Sequence, residues 1–164
     1  MAWAEIKRDD AKGLDEFAEL MHSVHPSYSA LTGEDMAKVI DSNKECEVWI
    51  ERDAKMGFVM RLHQVHLKTH ILMVCIQPDM DLDVGLKYVC QVMADYQSRH
   101  GNLDMLAIVP KEGCLPHMKA FYDHCTSNIP GSAQDRETPK ANHLALPKAG
   151  IDEVKDAVVD GEIK

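Results

Sequence analysis

A run of six apolar residues near the middle of the chain constrains the fold more than any other stretch. It extends from Ile71 to Ile76 and is followed by Gln77 and Pro78. Six residues are too few to cross a membrane, and an apolar run without alternation is typical of a strand that is covered on both faces. Because proline cannot continue the hydrogen bonding of a central strand, we expect this strand to end before Pro78.

An amphipathic helix is predicted directly after this strand. Leu86, Val89, Cys90 and Met93 have the spacing of one helical face, and Gly101 provides a C-terminal stop. The first backbone N–H groups of a helix have no partner within the helix, so a strand that runs into a helix forms a natural anion site. We therefore expect function at this junction.

The remaining elements predict a mixed α/β domain. Helices carry apolar residues at three- and four-residue spacing, and strands carry short apolar or alternating runs. A capping box is predicted where Thr32 precedes Asp35 by three residues. In chain order we expect a strand (Ala2–Lys7), two helices, a hairpin (Glu45–Glu51 with Met56–Leu62), the central strand with its helix, a parallel strand (Leu103–Val109), a helix from Pro116, and a short strand (His143–Leu146). The segment Thr126–Ala141 predicts a long loop or an irregular strand pair.

Composition indicates one globular domain with a short appendage. The 164 residues are 45% apolar and 27% charged, which is enough for one hydrophobic core. We assign residues 1–147 to this domain and residues 148–164 to an acidic C-terminal tail, where Ile151, Val154 and Val158 have the spacing of a short helix. No internal repeat is evident.

Charge and cysteine content narrow the classes of function. A net charge of −9 argues against direct binding of nucleic acid, whose phosphates repel an acidic surface. The five cysteines are odd in number and form no Cys-x-x-Cys pair, which favours reduced thiols in a cytoplasmic protein. No signal peptide or membrane span is visible, so we predict no membrane contact.

The order of the predicted elements resembles that of the GNAT superfamily of N-acetyltransferases. Its best local pieces are VCIQPDMDLDVGLKYV, from Val74 to Val89, and MKAFYDHC, from Met118 to Cys125. The resemblance implies a mixed sheet that opens between the central strand and its parallel neighbour, with acetyl-CoA lying in the cleft. It also implies transfer of the acetyl group to an amine.

The cofactor signature of that family is degenerate here. Its pattern of Arg or Gln, two residues, Gly, one residue, and Gly or Ala wraps backbone N–H groups around the CoA pyrophosphate. In the register fixed by Pro78 these positions fall on Asp81, Val84 and Leu86, and none matches; shifted by one residue, only Gly85 matches.

The resemblance also assigns cofactor contacts residue by residue. The backbone of Cys75 and Ile76 would hold the pantetheine arm, and Gly85 with Lys87 would lie at the pyrophosphate. The turn before the helix carries Asp79, Asp81 and Asp83, whose charges would oppose a pyrophosphate. We predict loss of cofactor binding if these carboxylates stay in place, and acetyl-CoA as the cofactor if the protein is active.

Catalytic candidates follow from the resemblance as well. Many members carry a tyrosine on the last long helix that protonates the leaving thiolate, and the register places it at Tyr122. The asparagine of the same motif is replaced by Leu115. His70, on the central strand, is a candidate base, and His66 lies close to it in sequence. Without the resemblance, Tyr122 is typical of a half-buried core residue.

Simpler interpretations compete with these roles. The aspartates of the turn suit the N-terminus of a helix as caps and first-turn charges. Their spacing resembles a calcium loop, but the glycine is one position late and Cys90 stands where a glutamate is needed. His66 with His70, and Cys114 with His117, each supply at most half of a zinc site. We predict no metal site.

Two functions remain open. The first is a non-catalytic GNAT-like protein with a structural or interaction role, which predicts protein partners or self-assembly. Such degenerate copies occur among phage proteins, including virion components of short-tailed phages, and would place the protein in the host cytoplasm or the virion. The second is an active acetyl-CoA-dependent N-acetyltransferase acting on a small amine or a protein amino group.

Overall fold

A seven-stranded mixed sheet forms the centre of the protein. The computed structural model describes residues 2–22, 26–63, 68–101 and 104–157. The strands are β1 (Ala4–Ile6), β2 (Glu47–Glu51), β3 (Met56–His63), β4 (Lys68–Cys75), β5 (Met105–Pro110), β6 (Ala133–Glu137) and β7 (Ala141–Leu146). They lie in the order β1-β2-β3-β4-β5-β7-β6. Only the β4–β5 pair is parallel among the described strands.

Helices cover both faces of this sheet. They are α1 (Ala11–Met21), α2 (Gly33–Asp41), α3 (Leu82–His100), α4 (Pro116–Asn128) and α5 (Lys148–Lys155), with a 3-10 turn at Pro26–Tyr28. Gly57 of β3 packs against Phe17 of α1. The next residue, Phe58, shares a small apolar cavity with Met93 of α3 and Phe121 of α4. Because consecutive strand residues point to opposite faces, α1 lies on one side of the sheet and α3 with α4 on the other.

Local sequence signals explain where the helices begin and end. The Thr32 hydroxyl accepts a hydrogen bond from the backbone N–H of Asp35, and the Asp35 carboxylate accepts one from the backbone N–H of Thr32. The predicted capping box is therefore confirmed. Pro116 occupies the first turn of α4, where no N–H is needed. Gly101 ends α3 with a φ of 105°, a left-handed conformation that glycine adopts without strain.

The predicted fold class is confirmed, with differences at the C-terminal end. The segment Thr126–Ala141, for which the sequence predicts a long loop or an irregular strand pair, contains the end of α4 and strand β6, and β6 pairs irregularly with β7. The final strand begins at Ala141 instead of His143, and the parallel strand extends to Pro110. The predicted strand start at Leu103 and the predicted helical position of Val158 lie outside the described residues.

Helix α5, which overlaps the short helix predicted in the C-terminal tail, packs against α3. Ile151 is fully buried, and a Cβ atom on Gly150 would clash with the backbone oxygen of Pro130. These contacts join residues 148–155 to the body of the fold. Within the described residues, no helix is both long and apolar enough to cross a membrane.

Candidate functional site

The sheet opens between β4 and β5. The two strands pair only through Thr69, His70 and Ile71 of β4, opposite residues 105–107 of β5. In the pairing of β3 with β4, Val59 lies opposite Met73 but the next residue lies opposite Ile71, so Leu72 is an extra residue in β4. Such a bulge bends its strand and increases its twist. The bulge lies where β4 and β5 part, and it accounts for the opening.

A cleft of about 470 Å³ occupies this opening. Its walls are largely apolar and include Met21, Leu72, Met73, Val74, Ile108 and Pro110. Polar side chains also line the cleft, among them Ser27 and Tyr28, and a cleft of this size that combines apolar walls with polar groups is typical of a small-molecule site. Three charged side chains lie at its lining, Lys111, Glu112 and Lys140, and Lys111 forms an ion pair with Glu137.

Tyr122 lies in this cleft, together with Tyr28 and Cys114. Burial raises the pKa of the Tyr122 phenol above its ordinary value, and Cys114 and Tyr28 raise it further. The phenol is therefore protonated at neutral pH and can donate a hydrogen bond or a proton. No residue in the described part of the chain hydrogen-bonds the Tyr122 hydroxyl, so it is free to meet a ligand.

The N-terminus of α3 is occupied by its own cap. The Asp81 carboxylate oxygen Oδ1 accepts hydrogen bonds from the backbone N–H of Asp83 at 2.9 Å and of Val84 at 3.1 Å. These are two of the N–H groups that a helix N-terminus otherwise offers to an anion. The prediction that an aspartate of this turn caps the helix is confirmed for Asp81.

Acidic side chains line the pocket beside this helix start. The pocket measures about 440 Å³ and is lined by Asp53, Asp79 and Asp81, with Lys55 the one positive side chain among its described lining residues. Asp83 instead turns toward α4, where its Oδ1 lies 2.6 Å from Nε2 of His124. The charge of this pocket therefore opposes a phosphate.

Gly85 and Lys87 lie inside the packing. A Cβ atom built on Gly85 would lie 3.2 Å from the Met80 sulfur and 3.4 Å from Phe121, so Gly85 lets the turn and α4 close over α3. Lys87 is only 9% exposed. Neither residue lines the acidic pocket or the cleft. An aspartate at position 85 would therefore disturb packing before it affected any ligand.

The other candidates lie on the central strand β4 or directly after it. Cys75 and Ile76 are fully buried, and the Cys75 thiol donates to the backbone oxygen of Leu20 at 3.5 Å. Burial raises the pKa of Cys75 to about 12. His70 is 7% exposed and belongs to the part of β4 that is still paired with β5, below the opening. His66 lies outside the described residues.

Sequence reasoning missed three features of the site. Tyr28 and Cys114 join Tyr122 in the cleft although they are far apart in sequence. Met80 covers Gly85. The position of Tyr28 after the Pro26 helix break carries no signal that it faces a cleft. The aspartate spacing, by contrast, did indicate the closed helix start.

Comparisons with known proteins identify the architecture. No protein-family model matches the sequence, and no curated protein sequence matches it. Among solved structures, an aminoglycoside 6′-acetyltransferase type Ii superposes with a TM-score of 0.62 at 13% identity, covering 90% of this chain and 97% of that one. FdhC, a nucleotide-linked sugar GNAT, gives 0.61 at 13% identity, covering 93% and 89%. The spermidine N-acetyltransferase of Vibrio cholerae, solved with CoA and spermine, gives 0.55 at 11% identity, covering 92% and 96%. The chain has the fold of the GNAT N-acetyltransferases.

Proposed function

We propose that this GNAT-fold protein is a non-catalytic structural or interaction protein whose cleft does not bind CoA in the manner of its structural neighbours. The proposal rests on one observation: the Asp81 carboxylate accepts hydrogen bonds from the backbone N–H groups of Asp83 and Val84. Pyrophosphate binding at this helix would require Asp81 to leave its own cap and would bring two anionic groups together. The partners under this proposal are proteins or further copies of the chain.

Electrostatics supports the same proposal. A unit charge pair about 4 Å apart interacts with about 4 kcal/mol at the effective dielectric near a protein surface. Asp79 and Asp81 both line the pocket, and Lys55 offsets one of them. The net interaction of this pocket with a dianionic pyrophosphate is therefore repulsive. A loop whose backbone N–H groups point at the pyrophosphate would attract it instead.

Calorimetric titration with CoA and acetyl-CoA tests this proposal. We expect no heat and no rise in melting temperature up to millimolar ligand. Binding at about 1 μM, which corresponds to about −8.2 kcal/mol, would refute it. Light scattering after size-exclusion chromatography tests self-assembly. If the protein is a monomer at the highest soluble concentration, self-assembly is refuted and the proposed partner is a different protein. The association with a phage virion stays a prediction.

A second candidate is an active acetyl-CoA-dependent N-acetyltransferase, and the free Tyr122 hydroxyl in the cleft favours it. In that reaction the amine nitrogen would attack the thioester carbonyl carbon, the carbon–sulfur bond would break, and Tyr122 would protonate the leaving thiolate. The amine proton would pass to a base, for which His70 is the candidate. The Vibrio cholerae neighbour, solved with CoA and spermine, suggests polyamines as the first acceptors to try.

Thiol release from acetyl-CoA in the presence of spermine and other amines measures this second function. Activity that falls at least tenfold in Tyr122→Phe, with an unchanged melting temperature, would establish it. Equal activity in the two proteins would remove Tyr122 as the acid.

A further inference from the structure

A buried histidine on β7 lacks a hydrogen bond that its ring could make. His143 is 6% exposed, and its nitrogen Nδ1 is buried without a hydrogen-bond partner among the described residues. Leaving a buried polar group unpaired is costly, so such a group in a folded protein calls for an explanation. A bound ligand is one explanation, and the surroundings of His143 indicate the chemistry that this ligand would have.

His143 lies on the sheet face opposite to α3 and α4. Ala107 of β5 and Leu144 of β7 pair with each other and line the small apolar cavity that α3 and α4 share with the sheet. Because consecutive residues of a strand point to opposite faces, the next pair, Ile108 with His143, points to the other face. Ile108 also lines the cleft, whereas His143 is not part of the cleft lining. His143 therefore lies beside the cleft and outside it.

A bulge in β6 places a positive charge next to His143. Gln134 pairs with Leu144, so in a regular antiparallel pair Asp135 would lie opposite His143. Asp135 is instead an extra residue, and Arg136 occupies the position opposite His143. Residues directly opposite each other in an antiparallel pair have Cβ atoms about 4.5–5.5 Å apart on the same face. The bulge therefore puts a guanidinium, and not a carboxylate, opposite the buried ring.

The Arg136 guanidinium is available to a ligand. All of β6 is exposed, and within the described part of the chain the Arg136 side chain forms neither a hydrogen bond nor an ion pair. Burial lowers the pKa of His143, Arg136 lowers it further, and Asp135 raises it by less than Arg136 lowers it. Together the two charged neighbours therefore produce a positive potential at the ring, and this potential favours a negatively charged group.

We infer that His143 and Arg136 form a binding site for a small oxyanion, which is a carboxylate or a phosphate. The planar guanidinium can donate two parallel hydrogen bonds to either group. With its proton on Nδ1, the neutral His143 ring donates a third hydrogen bond, and the buried nitrogen is then satisfied. The site lies outside the cleft and away from the start of α3. The inference therefore goes beyond the proposed function and does not depend on it.

NMR titration of the His143 ring in the full chain tests the inference. A bound anion stabilises the protonated ring, so acetate or inorganic phosphate should raise the pKa of His143 by about one pH unit. Sodium chloride keeps the ionic strength constant, because screening of Arg136 alone would also raise this pKa. A larger rise with phosphate would identify a phosphate as the ligand. A rise that is at least as large with acetate would identify a carboxylate.

A variant of Arg136 and a matched control locate the bound anion. Arg136→Gln removes the guanidinium at an exposed position and should abolish the rise in pKa. Lys119→Gln removes the same charge from an exposed position on α4 and should leave the rise unchanged. The inference is overturned if neither probe gives a saturable rise in the millimolar range. It is also overturned by an equal rise in Arg136→Gln, because the anion would then bind elsewhere.

Discussion

Replacing Glu47 with glutamine perturbs the polar cluster that holds the C-terminal end of α3 on β2. The Glu47 carboxylate accepts two hydrogen bonds of 2.7 Å from the Arg99 guanidinium, one of 2.6 Å from His100 and one of 2.9 Å from Trp49. Its side chain is 9% exposed, whereas that of Arg99 is 39% exposed. Glutamine preserves the shape but turns an amide N–H₂ group toward these donors.

The loss of unfolding free energy in Glu47→Gln can be estimated from the exposure of the Glu47 and Arg99 side chains. Breaking a fully buried ion pair costs roughly 3–5 kcal/mol, and an exposed pair contributes less than about 1 kcal/mol. Because the Arg99 side chain is 39% exposed, this pair lies between the two cases, and we expect Glu47→Gln to lose about 2 kcal/mol of unfolding free energy. With a urea m-value of about 2 kcal/mol/M, the unfolding midpoint should fall by about 1 M.

Urea unfolding followed by far-ultraviolet circular dichroism measures this loss, with Glu45→Gln as the matched control. Among the described residues, the Glu45 carboxylate has one side-chain partner, His100 at 2.9 Å. The Glu45 side chain is 24% exposed, so we expect a loss below about 1 kcal/mol. Equal midpoints for wild type and Glu47→Gln, or equal losses in the two variants, would refute the reasoning.

The same pair of proteins gives a pH test. Burial alone would raise the pKa of Glu47, but hydrogen bonds from Arg99, His100 and Trp49 outweigh it and hold the pKa below its ordinary value. A carboxyl whose pKa is lowered by folding stabilises the protein above the unfolded pKa, about 4.3 for glutamate. The difference between wild type and Glu47→Gln should therefore be full at pH 7 and shrink as the pH falls below about 4.

Three further predictions concern the core and the cleft. Gly57→Ala places a Cβ atom 2.7 Å from the Phe17 ring, so we expect a loss of about 1–3 kcal/mol in urea unfolding, and unchanged stability would contradict this packing. Tyr122→Phe removes a hydroxyl without a described partner, so stability should change by less than about 0.5 kcal/mol; a larger loss would reveal a hydrogen bond that the structure does not show. Ellman's reagent at pH 8 should modify Cys114 first in the native protein and the four buried thiols only after unfolding, and rapid reaction of all five would argue against the core as described.

The sequence predicted the elements whose signals are local. Six consecutive apolar residues, Ile71–Ile76, followed closely by Pro78 indicated a central strand, and Gly101 indicated the end of α3. Both signals depend on neighbouring residues only. For the segment that contains strand β6, the sequence could not distinguish a loop from a strand pair. All five of its residues are exposed, so no hydrophobic pattern distinguishes them from a loop, and pairing with β7 alone makes the strand.

The site was predictable only in part. The Asp-x-Asp-x-Asp spacing indicated a capped, acidic helix start, since an N-cap interacts with residues next to it in sequence. The burial of Gly85 under Met80 and the meeting of Tyr28, Cys114 and Tyr122 depend on how α1, α4 and the opened sheet pack together. A spacing rule carries no information on contacts between segments that are so far apart in sequence.

The most direct test of the closed helix start follows the backbone amides of Asp83 and Val84 by NMR during titration with CoA. We predict that both resonances stay in place up to millimolar CoA, because the Asp81 carboxylate holds these N–H groups. Saturable shifts of both amides, accompanied by release of the Asp81 cap, would show that the helix start accepts the pyrophosphate and would contradict the proposed function.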